Sequence, residues 1–271
     1  MTYPSVFPTG ATVYDPARCW NGYTIFQAKE VGALLIDMNG GEVQHWNLHG
    51  MPNRILPGGY LVGSTGERST AFGSQDGIDL VQVDWDGNVV WRFDRYEYIE
   101  DPGEPARWMA RQHHDYQREG SPVGYYAPGL DPLTDRGRTT ILSHKNLRRT
   151  EICDRPLLDD TIIEVDWAGD VVWEWVCSEH FEELGFREDA RNLMFRNPNW
   201  LKSGGGMGDW MHINSLSLLG PNRWHDAGDE RFHPDNLIWC ARESNITAIV
   251  DRRSGRIVWR LGPYYDETAE L

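Results

Sequence analysis

A short pattern recurs four times along this chain, and it constrains the fold more than any other feature of the sequence. An apolar run leads to an Asp and a Gly-containing turn, and a Val-containing run that ends in Trp follows. The copies span residues 33–48, 79–94, 161–176 and 247–262. Two apolar runs around a turn that needs positive φ predict an antiparallel β-hairpin. Four copies of one hairpin predict an all-β protein built from repeats.

The last copy belongs to the most complete repeat, residues 209–262. Strand-like runs lie there at 211–218, 236–240, 247–251 and 256–261. Four consecutive antiparallel strands joined by turns form one blade of a β-propeller. We therefore predict one β-propeller domain of four-stranded antiparallel blades over residues 1–271. Its first blade is expected to lack an innermost strand, and residues 178–208 are expected to form a loop and helical insertion.

Composition narrows the class of protein further. Thirteen Trp and 28 Gly suit sheets and turns, and the net charge of −15 argues against nucleic-acid binding, which needs a basic face. No apolar run approaches the length that crosses a membrane, and the first residues show no signal-peptide pattern. The four cysteines are widely spaced and fit neither a zinc site nor a disulfide framework. A cytoplasmic protein with reduced thiols and no membrane partner is predicted.

Polar residues at related places in the repeats predict a site. His212 and Asn214 lie on the first strand of the last repeat, and side chains two apart on a strand point the same way. Arg242 follows the second strand. We expect Lys29 and Lys145 at the place of Arg242 in the first and third repeats. Because innermost strands line the axis of a propeller, these side chains are predicted to converge.

The third repeat adds histidines to this site. His113 and His114 align roughly with the strand of His212, and His144 directly precedes Lys145. Adjacent strand residues point to opposite faces, so we expect only one of His113 and His114 to face the channel. Guanidinium, ammonium and imidazole groups together predict an anion-binding pocket. The full predicted set is His113 or His114, His144, Lys145, His212, Asn214, Arg242 and Lys29.

Arg242 is expected to be the main anion-binding group of this pocket. Glu243 follows it directly, but neighbouring strand residues diverge, so Glu243 is not expected to neutralise the guanidinium. A desolvated cation without a protein acceptor is costly. We therefore expect an anionic ligand to complete the environment of Arg242.

Residues 209–262 resemble the signature region of the arylsulfotransferase family. They contain W-x-H-x-N-S, a strand ending in A-R and the hairpin D-x-x-x-G-x-I-V-W-R-L-G, and HHDYQ resembles the family's upstream H-H-D strand. The resemblance implies a six-bladed propeller that transfers a sulfuryl group between phenols through a histidine-bound intermediate. It also implies that His212, Arg242 and one of His113 and His114 hold the sulfuryl oxygens.

The resemblance has two departures. The family's nucleophilic histidine lies in a further strand after the W-R-L-G hairpin, where this sequence reads GPYYDETAEL, and four outer hairpins are visible rather than six. Two alternatives follow. Either the sequence is part of a longer propeller with further C-terminal blades, or it is a reduced relative without that nucleophile.

Three functions fit the sequence. The first is arylsulfotransferase-like transfer from an aryl sulfate to a phenol, on small anionic or aromatic substrates and without a cofactor. The second is a metal-dependent hydrolase or lyase, in which His113 or His114, His144 and His212 hold the metal, since neutral imidazole is a common ligand. The third is a non-catalytic propeller that serves as a binding module, because fold does not determine function.

Overall fold

The computed structural model describes residues 11–73, 75–121, 130–198 and 208–265, which form an all-β structure with few helices. The strands are β1 (Thr24–Ala28), β2 (Gly32–Ile36), β3 (Glu42–Trp46), β4 (Gly50–Leu56), β5 (Tyr60–Ser64), β6 (Leu80–Val83), β7 (Val89–Phe93), β8 (Glu97–Ile99), β9 (Arg107–Met109), β10 (Gln112–Arg118), β11 (Thr139–Leu147), β12 (Leu157–Val165), β13 (Val171–Val176), β14 (Ile213–Leu218), β15 (Leu237–Ala241), β16 (Ile246–Val250) and β17 (Ile257–Leu261). The α-helices are α1 (Glu188–Arg196) and α2 (Arg223–Asp226), and short 3-10 helices span Pro57–Gly59, Cys177–His180 and Glu230–Phe232.

The strands form antiparallel sheets in chain order. Three sheets have four strands each, β4 to β7, β10 to β13 and β14 to β17, and β8 pairs with β9. The sheet of β1 to β3 has three strands, as the missing innermost strand predicts. The four predicted hairpins are present as β2–β3, β6–β7, β12–β13 and β16–β17. No helix in the described ranges is long and apolar enough to cross a membrane.

The Asp and Gly of the repeated pattern build the hairpin turns. Between β6 and β7, Gly87 has a φ of 86°, and the amide of Asn88 donates to the carboxylate of Asp84 at 2.8 Å. The same arrangement recurs at Asp37 with Gly40, Asp166 with Gly169 and Asp251 with Gly255. The Asp satisfies amides that the turn leaves without a strand partner, and the Gly accepts the left-handed backbone.

Tryptophans tie each hairpin to the next one. The indole N–H of Trp46 donates to the backbone oxygen of Trp85 at 3.2 Å, and that of Trp91 donates to Trp167 at 3.0 Å. In the third hairpin the donor is Trp175, which bonds the oxygen of Gly255 at 2.9 Å. Trp173, the earlier Trp of this hairpin, is half-buried against the same apolar cluster. Each of these indoles therefore links a hairpin to the following turn.

Apolar clusters lie between successive sheets, so the sheets pack face to face in chain order. Trp46 and Leu61 share one cluster, Trp91 and Ile141 share the next, and Trp175 and Trp239 share the third. Burying one such side chain contributes about 1.5–3 kcal/mol. This packing places β10 beside both β4 and β14, and it brings the first strands of three sheets together.

The insertion predicted at 178–208 contains α1, while residues 199–207 lie outside the described part of the chain. Phe181, Leu184 and Phe186 pack into the cluster between the last two sheets. All four cysteines are free, with Cys153 and Cys177 buried and Cys19 and Cys240 exposed.

Candidate active site

Strands β10 and β14 begin in the same way. The residue before each strand has a left-handed backbone, with a φ of 54° at Arg111 and 55° at His212. The oxygen of Arg111 accepts from the amide of His144, and the oxygen of His212 accepts from the amide of Arg242, both at 2.9 Å. The strand register therefore places His144, and not the predicted Lys145, in the position equivalent to Arg242. Arg111 correspondingly takes the position of His212.

The structure brings the four predicted histidines together. The rings of His113 and His144 stack with centroids 3.6 Å apart at an interplanar angle of 7°. The Nδ1 atoms of His113 and His114 are 3.1 Å apart, and the ring of His114 lies 4.8 Å from that of His212. The expectation that only one of the adjacent pair faces this site is wrong. A β-bulge between Gln112 and Tyr116, with a φ of 50° at His114, breaks the strand alternation.

Buried carboxylates support three of these rings. Nδ1 of His144 contacts Asp76, and Nδ1 of His212 lies 2.5 Å from Oδ2 of Asp209. Nε2 of His113 lies 3.3 Å from Oδ1 of Asp160, and all three carboxylates are fully buried. For His144 and His212, the carboxylate at Nδ1 fixes the tautomer and leaves Nε2 for chemistry.

Sequence reasoning missed these acids. Asp76 lies between β5 and β6, some seventy residues before its partner His144. One signal was visible, because the adjacent Asp159 and Asp160 lie in strand β12 between the apolar pairs at 157–158 and 162–163. A carboxylate inside a buried strand needs partners, and an adjacent pair of them indicates a polar cluster.

Asp76 is the centre of a buried ionic network. Arg68 contacts it at 3.0 Å and Arg111 at 2.9 Å, while Arg111 also contacts Glu97 at 2.5 Å. Burial alone raises the pKa of Asp76, but the charges of Arg111 and His144 outweigh it and hold that pKa well below its usual range. Asp76 therefore remains a charged acceptor for His144.

Burial has the opposite result elsewhere in the cluster. It lowers the pKa of His113 well below its usual range, and the neighbouring imidazoles add to the effect. Burial and the nearby His212 lower the pKa of His114 to about 4. Burial, followed by the charges of Asp209 and Asp159, raises the pKa of Asp160 well above its usual range. At neutral pH His113 and His114 are therefore uncharged.

The environment of Arg242 differs from the one that the sequence predicts. Its side chain is 46% exposed, and its Nη2 contacts the Glu243 carboxylate at 2.7 Å. The expectation that Glu243 does not neutralise this guanidinium is therefore wrong. Both residues lie in the turn after β15, outside the strand, so the alternation that would separate their side chains does not apply.

The other predicted residues lie apart from the stacked rings. Lys145 contacts Glu174 on β13 at 2.8 Å, and Lys29 is exposed in the turn after β1. Asn214 is exposed while His212 is buried, so the two do not share a face. The left-handed His212 precedes β14, and a β-bulge between Ile213 and Ser215 shifts the alternation.

Comparison with known families adds one match. A family model described as arylsulfotransferase (ASST) matches residues 133–269, just over half of the chain. The match covers β11 to β17 and includes His144, His212 and Arg242. No curated protein matches the chain at a level that marks a relative.

Proposed function

The chain belongs to the arylsulfotransferase family, and on that premise we propose that it transfers a sulfuryl group from an aryl sulfate to a phenol. The observation that carries the proposal is the pairing of His212 with buried Asp209, next to the ring of His114. The amide of Arg242 donates to the backbone oxygen of His212, and the charge of Arg242 is close enough to His114 to help lower the pKa of that ring. His114 and Arg242 are both partly open to solvent.

These residue types match the demands of displacement at sulfur. The sulfuryl oxygens carry the negative charge, and fixed donors lower the barrier when they meet those oxygens in the transition state. The planar fork of Arg242 suits two of them, because a guanidinium binds oxyanions through parallel hydrogen bonds. When the anion binds, Arg242 must therefore give up part of its contact with the Glu243 carboxylate.

His212 is the group that moves the proton. Asp209 holds its Nδ1 at 2.5 Å, so Nε2 is the nitrogen that exchanges the proton. In the first half-reaction the bond from sulfur to the aryl oxygen breaks as a bond from sulfur to a carrier group forms, and Nε2 gives its proton to the aryl oxygen. In the second half-reaction the bond from sulfur to the carrier breaks as a bond to the acceptor oxygen forms, and Nε2 takes the acceptor's hydroxyl proton. The first half-reaction leaves Nε2 of His212 without a proton, as the second requires, and the second restores the proton that the first requires.

The two half-reactions require a carrier for the sulfuryl group between them. The family resemblance implies that this carrier is a histidine, which the family has after the equivalent of the β16–β17 hairpin, and residues 262–271 contain no histidine. We therefore assign the described residues to oxygen binding and proton transfer and assign none of them to covalent attack.

The test is an assay of the full-length protein with an aryl sulfate donor and a phenol acceptor. Transfer with parallel double-reciprocal plots is expected, since a covalent intermediate produces ping-pong kinetics. His212→Ala should abolish transfer, while the control His49→Ala, at an exposed ring, should keep it. Absence of transfer by folded wild-type protein would overturn the proposal.

We also propose that the stacked sheets are blades of a six-bladed propeller. The support is their face-to-face packing in chain order and the adjacency of β4, β10 and β14. An experimental structure in which the sheets stack without curving around an axis would contradict this. Three further expectations stay predictions. They are a cytoplasmic location, a small anionic or aromatic substrate, and the exclusion of nucleic acid and membrane partners.

A further inference from the structure

Beside the proposed transfer site lies a deeper group of three side chains that the transfer chemistry does not use. His113, His144 and Asp160 are fully buried. The atoms His113 Nε2, His144 Nε2 and Asp160 Oδ2 have no hydrogen-bond partner among the described residues. Buried polar atoms normally have partners, so three together indicate a missing component.

We propose that His113, His144 and Asp160 bind one divalent transition-metal ion, with zinc as the best fit. One ligand atom from each of the three residues lies within 4.8 Å of the others. Two imidazoles with one carboxylate form a donor set that suits zinc. The proposal does not depend on sulfuryl transfer, since it concerns different residues.

The distances are close to those that an ion needs. Ligand atoms at about 2.0–2.2 Å from a tetrahedral zinc lie about 3.3–3.6 Å from one another. Oδ1 of Asp160 lies 3.3 Å from Nε2 of His113 and 3.9 Å from Nε2 of His144. Because the two rings stack in parallel, binding in the plane of both requires them to tilt apart.

The surroundings of His144 match those of a metal ligand. Its Nδ1 contacts Asp76, which Arg68 and Arg111 hold from the other side. A histidine that binds metal through one nitrogen commonly donates its other N–H to a carboxylate, and this orients the ring and raises its basicity. Asp76 and His144 form such a pair, with Nε2 directed at Asp160.

The charge balance of Asp160 points to a cation as well. Two arginines compensate Asp76, whereas no Arg or Lys in the described ranges pairs with Asp160. Asp159 is adjacent to it in β12, and Asp209 forms a bridge with Leu158, so two further fully buried acids lie nearby. An uncompensated buried carboxylate is costly, and a divalent cation would remove that cost.

All three ligands are fully buried, so the ion would lie inside the fold, and a tetrahedral ion would keep a fourth position that these three residues do not fill. Such an ion stabilises the fold by binding the native state alone, so the thermal midpoint should rise with metal concentration. It would join β10, β11 and β12 at a point where β14 packs against them.

The experiment measures metal binding to the folded full-length protein. Chelator-treated protein is titrated with Co²⁺, whose visible absorption reports imidazole and carboxylate ligands, and then with Zn²⁺ in competition. We expect one equivalent to bind, zinc to displace cobalt, and the thermal midpoint to rise. Elemental analysis of protein purified without chelator should find about one zinc per chain, as the proposed single site requires.

Variants identify the ligands. Asp160→Asn and His144→Gln should each lower zinc affinity at least tenfold, while the control His45→Ala, at an exposed ring, should leave it unchanged. If a variant fails to fold, the cobalt spectrum of wild-type protein decides, because solvated surface ions lack the tetrahedral bands. Absence of stoichiometric binding to the wild type would overturn the proposal. Binding that survives both ligand substitutions would equally overturn it, since it would show adventitious surface binding only.

Discussion

The sheets β10–β13 and β14–β17 begin with the same backbone geometry, but an arginine and a histidine occupy opposite positions in the two sheets. Arg111 and His212 occupy the left-handed position, and His144 and Arg242 occupy the position bonded to it. One sheet therefore has a cation followed by an imidazole, and the other has an imidazole followed by a cation. The same hydrogen bond to the backbone supports both arrangements.

The exchange changes the environment of the cation. Arg111 is fully buried between Asp76 and Glu97, whereas Arg242 is half-exposed beside Glu243. A buried guanidinium between two carboxylates stabilises the fold, because removing it leaves their negative charges less compensated. A solvated guanidinium can change partners at small cost, which a binding residue needs. Equivalent places in two repeats therefore serve structure in one sheet and, as we propose, ligand binding in the other.

The largest expected effect is a difference in unfolding free energy between variants of the two arginines. Arg111→Ala should lower the free energy of unfolding by about 3–5 kcal/mol, because it removes one of the two arginines that compensate buried Asp76 and the arginine that contacts Glu97. The matched control Arg242→Ala should cost about 0–1 kcal/mol, as exposed pairs do. Urea denaturation of both variants measures the difference. Equal losses in the two variants would refute the contrast drawn between them.

The next effect concerns His212 and its carboxylate partner Asp209. Asp209→Asn should lower kcat for sulfuryl transfer about 10–100-fold, because the amide no longer holds His212 in its orientation. The exposed Asp135→Asn serves as a control that should change nothing. Steady-state assays with an aryl sulfate measure both variants. An unchanged kcat in Asp209→Asn would show that the pair of Asp209 and His212 is structural.

A smaller effect is expected for substrate binding at Arg242. Arg242→Lys should weaken aryl sulfate binding about tenfold, because an ammonium cannot reproduce the bidentate geometry of a guanidinium. Calorimetric titration of the folded variant measures this affinity. Glu243→Gln should tighten binding slightly, since Arg242 then loses its competing partner. Wild-type affinity in Arg242→Lys would place the anion elsewhere.

A final effect is the pH dependence that His114 adds to the stability of the protein. Its folded pKa of about 4 lies below the unfolded value near 6.5, so the unfolded chain binds more protons between these values. The contribution of His114 to stability is therefore complete above about pH 6.5 and is lost as the pH falls towards 4. Wild type should lose at most about 1.4 kcal/mol per pH unit more than His114→Asn in this window. Parallel unfolding curves at each pH would contradict this.

The sequence by itself determined the four hairpins and their turns. Asp84, Gly87 and Trp91 lie within a few residues of one another, and the contacts between Asp and the turn amides are local. Local geometry repeats wherever the pattern repeats, so the sequence predicts it directly. The motif around His212 and Arg242 likewise stands within one repeat.

Only the tertiary structure decided which side chains meet. The register between β10 and β11 spans a long connection, so a comparison of strand ends placed Lys145 where the ladder places His144. The β-bulge that turns both His113 and His114 inward leaves no periodic signal. Asp76 reaches His144 from another sheet connection, and Glu243 folds back onto Arg242 in a turn. Such contacts depend on packing between distant segments, and local sequence preference carries no information about them.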